Sequence, residues 1–164
     1  MDANGRYVAR RSGRASPQAA PAGFTLVELV TALAVLGLLS IAAIPMFREL
    51  AASQRVQTAA SDLQTSLLRA RSEAIKQNTV VTMTPVGTWM GGWVISAGGT
   101  AIDKRAPAPR ISITGPGSVD FRSNGRITGG TMPQFTVSDT YTALQRCVQV
   151  SLSGQPIVTK AACS

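Results

Sequence analysis

The chain has 164 residues, with 16 Lys and Arg against 8 Asp and Glu, a net charge of +8, and no histidine. The missing imidazole excludes Ser-His-Asp and Cys-His catalysis and most zinc sites. The basic balance permits contact with anionic polymers without requiring it. Charged residues make up only 15% of the chain, and Gly and Ser/Thr-rich stretches separate short apolar runs, the composition of a β-rich domain.

In chain order, the first segment is a polar leader, Met1 to Gly23, carrying Arg6, Arg10, Arg11 and Arg14 against Asp2. Phe24 to Met46 follows, 23 residues in which Glu28 is the only charge. As a helix this run is roughly 34 Å long at about 1.5 Å per residue, enough to cross a bilayer. The arginines ahead of it should hold the N-terminal end in the cytoplasm, so that the remainder faces outward. A secretory signal peptide has a shorter apolar core with its cleavable small residue after it; here the small residue, Gly23, comes before. A carboxylate in a membrane helix costs about 2.5–3.5 kcal/mol at the centre and less near the interface. Glu28 lies one turn from the helix start, where headgroups solvate it and the helix dipole favours it.

Pro45, at the end of the apolar run, should kink the helix by removing a backbone donor. From Arg48 to Gln77 neither Gly nor Pro intervenes, and Val56, Ala60, Leu63, Leu67, Ala70 and Ala74 recur at three- and four-residue spacing. That stripe is expected to pack on a sheet, and Asn78 to end the helix. Beyond it, Val80–Thr84, Trp93–Ser96, Ile111–Thr114, Val119–Arg122, Gln134–Val137, Cys147–Leu152 and Ile157–Thr159 read as strands. Gly91-Gly92, Gly98-Gly99, Gly115-Pro116-Gly117, Asn124-Gly125 and Gly129-Gly130 separate them, Asn124-Gly125 being the best hairpin signal. Ala101 to Arg110 reads as an exposed, mobile connection. Cys147 and Cys163 read as one disulfide in an outward-facing domain, two free buried thiols being the alternative. The residues after Met46 suffice for one domain.

Chemistry for catalysis is sparse. Asp62, Glu73, Asp103, Asp120 and Asp139 stand singly, with no spacing that pairs two carboxylates on one face. Gly115-Pro116-Gly117-Ser118 lacks the Gly-Lys-Ser/Thr ending of a phosphate loop and reads as a turn. Trp89 and Trp93 are read as packing residues. No enzymatic activity and no cofactor or metal is expected.

Gly23-Phe24-Thr25-Leu26-Val27-Glu28-Leu29 resembles the prepilin-peptidase site of type IV pilins and type II secretion pseudopilins. Leu68-Arg69-Ala70-Arg71-Ser72-Glu73-Ala74-Ile75-Lys76-Gln77-Asn78, then Gly91-Gly92-Trp93, then Val119-Asp120-Phe121-Arg122-Ser123-Asn124-Gly125-Arg126, is similar to the GspH/FimT branch of minor pseudopilins and minor pilins. The resemblance implies an α+β fold in which a long N-terminal helix, half in the membrane, packs its outer half on an antiparallel β-sandwich-like head. The segments are then leader 1–23, transmembrane helix 24–46, amphipathic continuation 47–78 and head 79–164. It also implies cleavage between Gly23 and Phe24, N-methylation at Phe24, and a role for Glu28 in offsetting the new α-amino group during assembly. The implied location is the bacterial inner membrane, with the head periplasmic, and later a pilus or pseudopilus. Implied partners are prepilin peptidase, other minor and major subunits and the inner-membrane assembly platform. DNA is the alternative partner, since FimT-type pilins that support DNA uptake carry Gly-Arg-x-Arg near the last cysteine. The matching stretch here, Gly154-Gln155-Pro156-Ile157, lacks both arginines, leaving Arg122, Arg126, Arg146 and Lys160 as possible contacts.

Overall fold

The computed structural model describes residues 23–107 and 109–163. The leader arginines and Asp2 lie outside the described residues. Helix α1, Leu26–Lys76, belongs in part to each of two compact units, Met1–Ser40 and Ile41–Ser164. Within the first, the described large apolar residues are exposed, Leu26, Leu33 and Leu38 at 78%, 60% and 70%. No single helix among the described residues is long and apolar enough to cross a membrane. The stretches Leu26–Ile41 and Ile44–Lys76 are so, by length and composition, only when taken together.

The second unit holds the rest of α1 and eight strands. Pro45 sits inside the helix and supplies no N–H to the carbonyl of Ile41. The predicted stripe is fully inward: Val56, Ala60, Leu63, Leu67, Ala70 and Ala74 are buried, joined by Ala52 and Ala59. Five of these eight are alanines, which lets the helix approach the strands closely while still excluding water. Asn78 ends the helix in the left-handed region, φ 48°. Its N–H donates to Ile75 and the Thr79 N–H to Ala74, the paired bonds of a Schellman termination that satisfies the last free carbonyls.

The strands are β1 Val81–Val86, β2 Thr88–Ala97, β3 Thr100–Arg105, β4 Ile111–Thr114, β5 Val119–Phe121, β6 Gln134–Asp139, β7 Gln145–Val150 and β8 Pro156–Thr159. They form two antiparallel four-stranded sheets, in the orders β3-β2-β1-β5 and β4-β6-β7-β8. One core serves both sheets and the helix. Within it the Trp89 ring meets Phe135 edge-on at 4.8 Å, and the indole N–H of Trp89 donates to the Pro116 carbonyl at 2.7 Å.

The structure corrects three expectations. Ala101–Arg110 is not all connection: Thr100–Arg105 is an edge strand paired with β2 through a turn at Gly98-Gly99. Both glycines have positive φ, 55° and 85°, the backbone that suits a two-residue hairpin. Gly91-Gly92 does not separate strands but lies inside β2, because the backbone passes too close for side chains there: a Cβ on Gly92 would meet the Arg105 carbonyl. Asn124-Gly125 makes a turn whose arms meet in a single bridge, Phe121 to Ile127, rather than a hairpin of two strands.

Candidate assembly and interaction surfaces

The first surface is the start of α1. Thr25 stands just before the helix and its Oγ1 accepts the Glu28 N–H at 3.3 Å, while the Leu29 N–H donates to the Thr25 carbonyl. Thr25 is therefore the N-cap and Glu28 the third helical residue, the Thr-x-x-Glu spacing of a capping box. The signal for this cap is local, the Thr25-Leu26-Val27-Glu28 run itself. Gly23, Phe24 and Glu28 are all exposed. From Phe24 to Leu50 the large apolar side chains with described exposure are all more than half exposed.

Arginines join the helix to the head at three places. Just past the middle of α1, Arg55 donates from Nε and Nη2 to Asp139 Oδ2 at 3.1 and 3.0 Å. Alternation along β6 turns Phe135, Val137 and Asp139 inward, so the carboxylate occupies a core-facing position and its side chain is wholly buried. Burial pushes its carboxyl up, but the Tyr141 N–H, the Arg55 hydrogen bonds and charge, and the Arg110 charge outweigh it and leave it below the ordinary value. Further along, Arg69 pairs with Asp103 of β3 at 2.9 Å. Near the end, Arg71 donates to the Gly125 carbonyl at 3.1 Å and to Gln155 Oε1 at 3.0 Å. Glu73, close by, is held below the ordinary carboxylate value, first by the Gln77 hydrogen bond, with Lys76 and Arg69 adding to it. None of these arginine partners is readable from local sequence.

The possible DNA contacts fall into two pairs. Arg122 and Arg126 flank the Asn124-Gly125 turn, the N–H of Arg122 donating to the carbonyl of Arg126. Arg146 and Lys160 border one cavity with Ser53 and Val56, and Arg146 donates to Gln57 Oε1 at 3.1 Å. The pairs are tied to α1 at Arg71 and Gln57, 14 residues or roughly 21 Å apart along the helix, so they are not one cluster. In the Gly154–Ile157 stretch, Gly154 has φ 82° and packs where a Cβ would run into the Gly125 carbonyl. Gln155 serves Arg71, and Ile157 is exposed.

Cys147 and Cys163 are joined, with Cα atoms 4.9 Å apart. On β7 the even positions Val148 and Val150 face the core, so Cys147 lies on the other face and the bridge draws the C-terminal tail across it. Among the described residues, no three Cys, Asp or Glu side chains converge as metal ligands do.

Comparison with known proteins agrees with this architecture. The family described as type II transport protein GspH matches residues 59–154, and the prokaryotic N-terminal methylation motif matches residues 20–44. Crystal structures of the type IV minor pilin FimU from Pseudomonas aeruginosa share the fold. One has a TM-score of 0.57 at 23% identity, covering 65% of this chain and 89% of that one, and another has 0.55 at 21%, covering 63% and 91%. No curated protein matches the chain. A capped apolar helix carrying the methylation motif, continued into a two-sheet head that matches over residues 59–154, makes this chain a member of the GspH/FimT-like type IV pilin family.

Proposed function

We propose that the chain is a minor pilin or pseudopilin that helps initiate or assemble a type IV pilus or type II secretion pseudopilus. The observation that carries the reading is the exposed apolar surface from Phe24 through the first part of α1 to Leu50, which up to Met46 carries no charge other than Glu28. Such a surface needs hydrocarbon around it, either lipid or the helices of other subunits. Before assembly the Phe24–Met46 segment anchors the chain in the inner membrane with the head in the periplasm, and Pro45 is where the helix bends as it leaves the bilayer. Prepilin peptidase cuts between Gly23 and Phe24, and the new Phe24 α-amino group, after N-methylation, offsets the Glu28 carboxylate of the same or a neighbouring subunit. Major and minor subunits and the inner-membrane platform are the partners, and no catalytic step belongs to this chain.

The DNA-uptake reading has less support, since the basic residues form separate pairs and the Gly154–Ile157 turn offers no arginine. Co-expression with a prepilin peptidase tests the main reading. The chain should lose the mass of Met1–Gly23 and gain a methyl group at Phe24, and Gly23→Leu should block both; an N-terminus mapped elsewhere would refute it.

A further inference from the structure

A basic cavity opens where α1 emerges from its apolar run. It measures about 580 Å³ and is bordered by Phe47, Arg48 and, two turns beyond, Arg55 from the helix, and by Arg110, Tyr141 and Thr142 from the head. Three guanidinium groups face it against the single carboxylate of Asp139, and that carboxylate is already bound by Arg55. Arg48 has no ion pair among the described residues. Arg110 lies over the Tyr141 ring at 4.5 Å, and its guanidinium makes no hydrogen bond among the described residues. Thr142 Oγ1 is buried with no partner. A net positive pocket with an unused hydroxyl calls for an anion that accepts several hydrogen bonds.

Position indicates which anion. Arg48 is two residues past Met46, and Arg55 is seven residues further, roughly 10 Å along the helix. Phe47 and Tyr141 are exposed at 71% and 73%, and a neighbouring hollow is bordered by Met46, Leu50 and Leu144 together with Glu49 and Ser53. Aromatic and apolar residues among arginines at the end of an apolar helix have the composition of a membrane–water boundary. We propose that this pocket binds the phosphate of an anionic phospholipid headgroup while the chain is anchored in the membrane. The inference rests on the anchored-subunit reading above. The bound headgroup holds the head at the bilayer surface, and extraction of the chain into a filament releases it.

The test uses the full chain in a neutral detergent, with the arginine Nε–H signals followed by NMR during titration. The probes are dihexanoyl phosphatidylglycerol, dihexanoyl phosphatidylcholine, inorganic phosphate and a short DNA duplex. Phosphatidylglycerol should shift Arg48 and Arg110 saturably, and Arg48→Gln and Arg110→Gln should each weaken it about five-fold, while Arg126→Gln leaves it unchanged. Both pocket substitutions are at exposed arginines; should one fail to fold, the other carries the test. Equal response to phosphatidylcholine, or no loss in a folded variant, overturns the proposal. Saturation by inorganic phosphate alone at the same concentration would make this a free-ion site, and displacement of the lipid by the duplex a nucleic-acid site, and either result overturns it. Cleavage of the same variants by the peptidase is scored separately. Normal cleavage with failed lipid binding removes this inference and leaves the anchored subunit standing.

Discussion

Asp139 buries a charge at a core-facing position, and the Tyr141 N–H, the Arg55 ion pair and the Arg110 charge together make that tolerable. Arg55 keeps 30% of its side chain exposed whereas the Asp139 side chain has none, so the two truncations should differ. Arg55→Ala leaves a buried carboxylate without its cation and should cost about 3–5 kcal/mol, while Asp139→Asn leaves an arginine that can turn to water and should cost less. Urea midpoints of the two variants check the order. The lowered Asp139 value also sets a pH dependence. A carboxyl depressed by folding contributes stability that is fully present above its unfolded value, about 3.9, and is lost as pH falls through the folded one. The melting temperature of the parent should therefore drop below about pH 4 more steeply than that of Asp139→Asn. The Arg71 junction is decided by space rather than charge. Gly154→Ala would drive a methyl group into the Gly125 carbonyl and strain a left-handed backbone, and should destabilise more than a surface substitution, by about 1–3 kcal/mol.

Among the elements, the second sheet depends on its disulfide and the first on its edge. The bridge closes a sequence separation of 16 residues, worth about 3 kcal/mol in the loop-entropy account. Replacing Cys147 and Cys163 by Ala together should lower the unfolding free energy obtained from urea denaturation by about that amount, and non-reducing mass analysis of the parent should show two protons lost. At the helix end, Asn78 already occupies left-handed backbone. Asn78→Gly should be neutral or slightly stabilising and Asn78→Ala destabilising by about 1 kcal/mol, a difference readable by thermal melting. The edge strand β3 presents Asp103, Lys104 and Arg105, charges that discourage pairing with another chain, and the Arg69–Asp103 pair secures it to the helix.

At the scale of the molecule, the exposed apolar stretch of the helix and the head carry separate requirements. Glu28→Ala should leave insertion and cleavage intact, because Thr25 still caps the helix, yet reduce incorporation into filaments, as measured by immunoblot of sheared material. Normal incorporation would reduce Glu28 to a solvated interfacial charge. The dispersed basic pairs predict that the full chain binds duplex DNA only at a non-specific level, about 10⁻⁴–10⁻⁶ M near physiological salt. Installing an arginine at Ile157, which is exposed, should strengthen binding and steepen its salt dependence. Gln155→Arg should help less, since it would set a second guanidinium beside Arg71. Salt titrations of the parent and both variants decide this.

Local patterns carried much of this protein. The apolar run with Glu28, the three- and four-residue spacing from Val56 to Ala74, and the Asn78 stop are properties of consecutive residues, and helix periodicity and backbone sterics act on those directly. The order of motifs behind Gly23-Phe24 was likewise legible as a resemblance, because it is a linear pattern. What the linear pattern left undetermined depends on partners far away in the chain. Whether Gly91-Gly92 breaks a strand or lies within one depends on the carbonyl of Arg105 across the sheet, and β3 became a strand because β2 offered it an edge. Asp139 stood alone in the sequence until the β6 register turned it toward Arg55, 84 residues earlier. The basic residues considered together as DNA contacts were divided by the fold, and Arg48, Arg55 and Arg110 were brought to one cavity instead. Hydrophobic periodicity is short-ranged and survives in sequence, whereas the place of a charge follows from the packing of elements that meet only once the chain has folded.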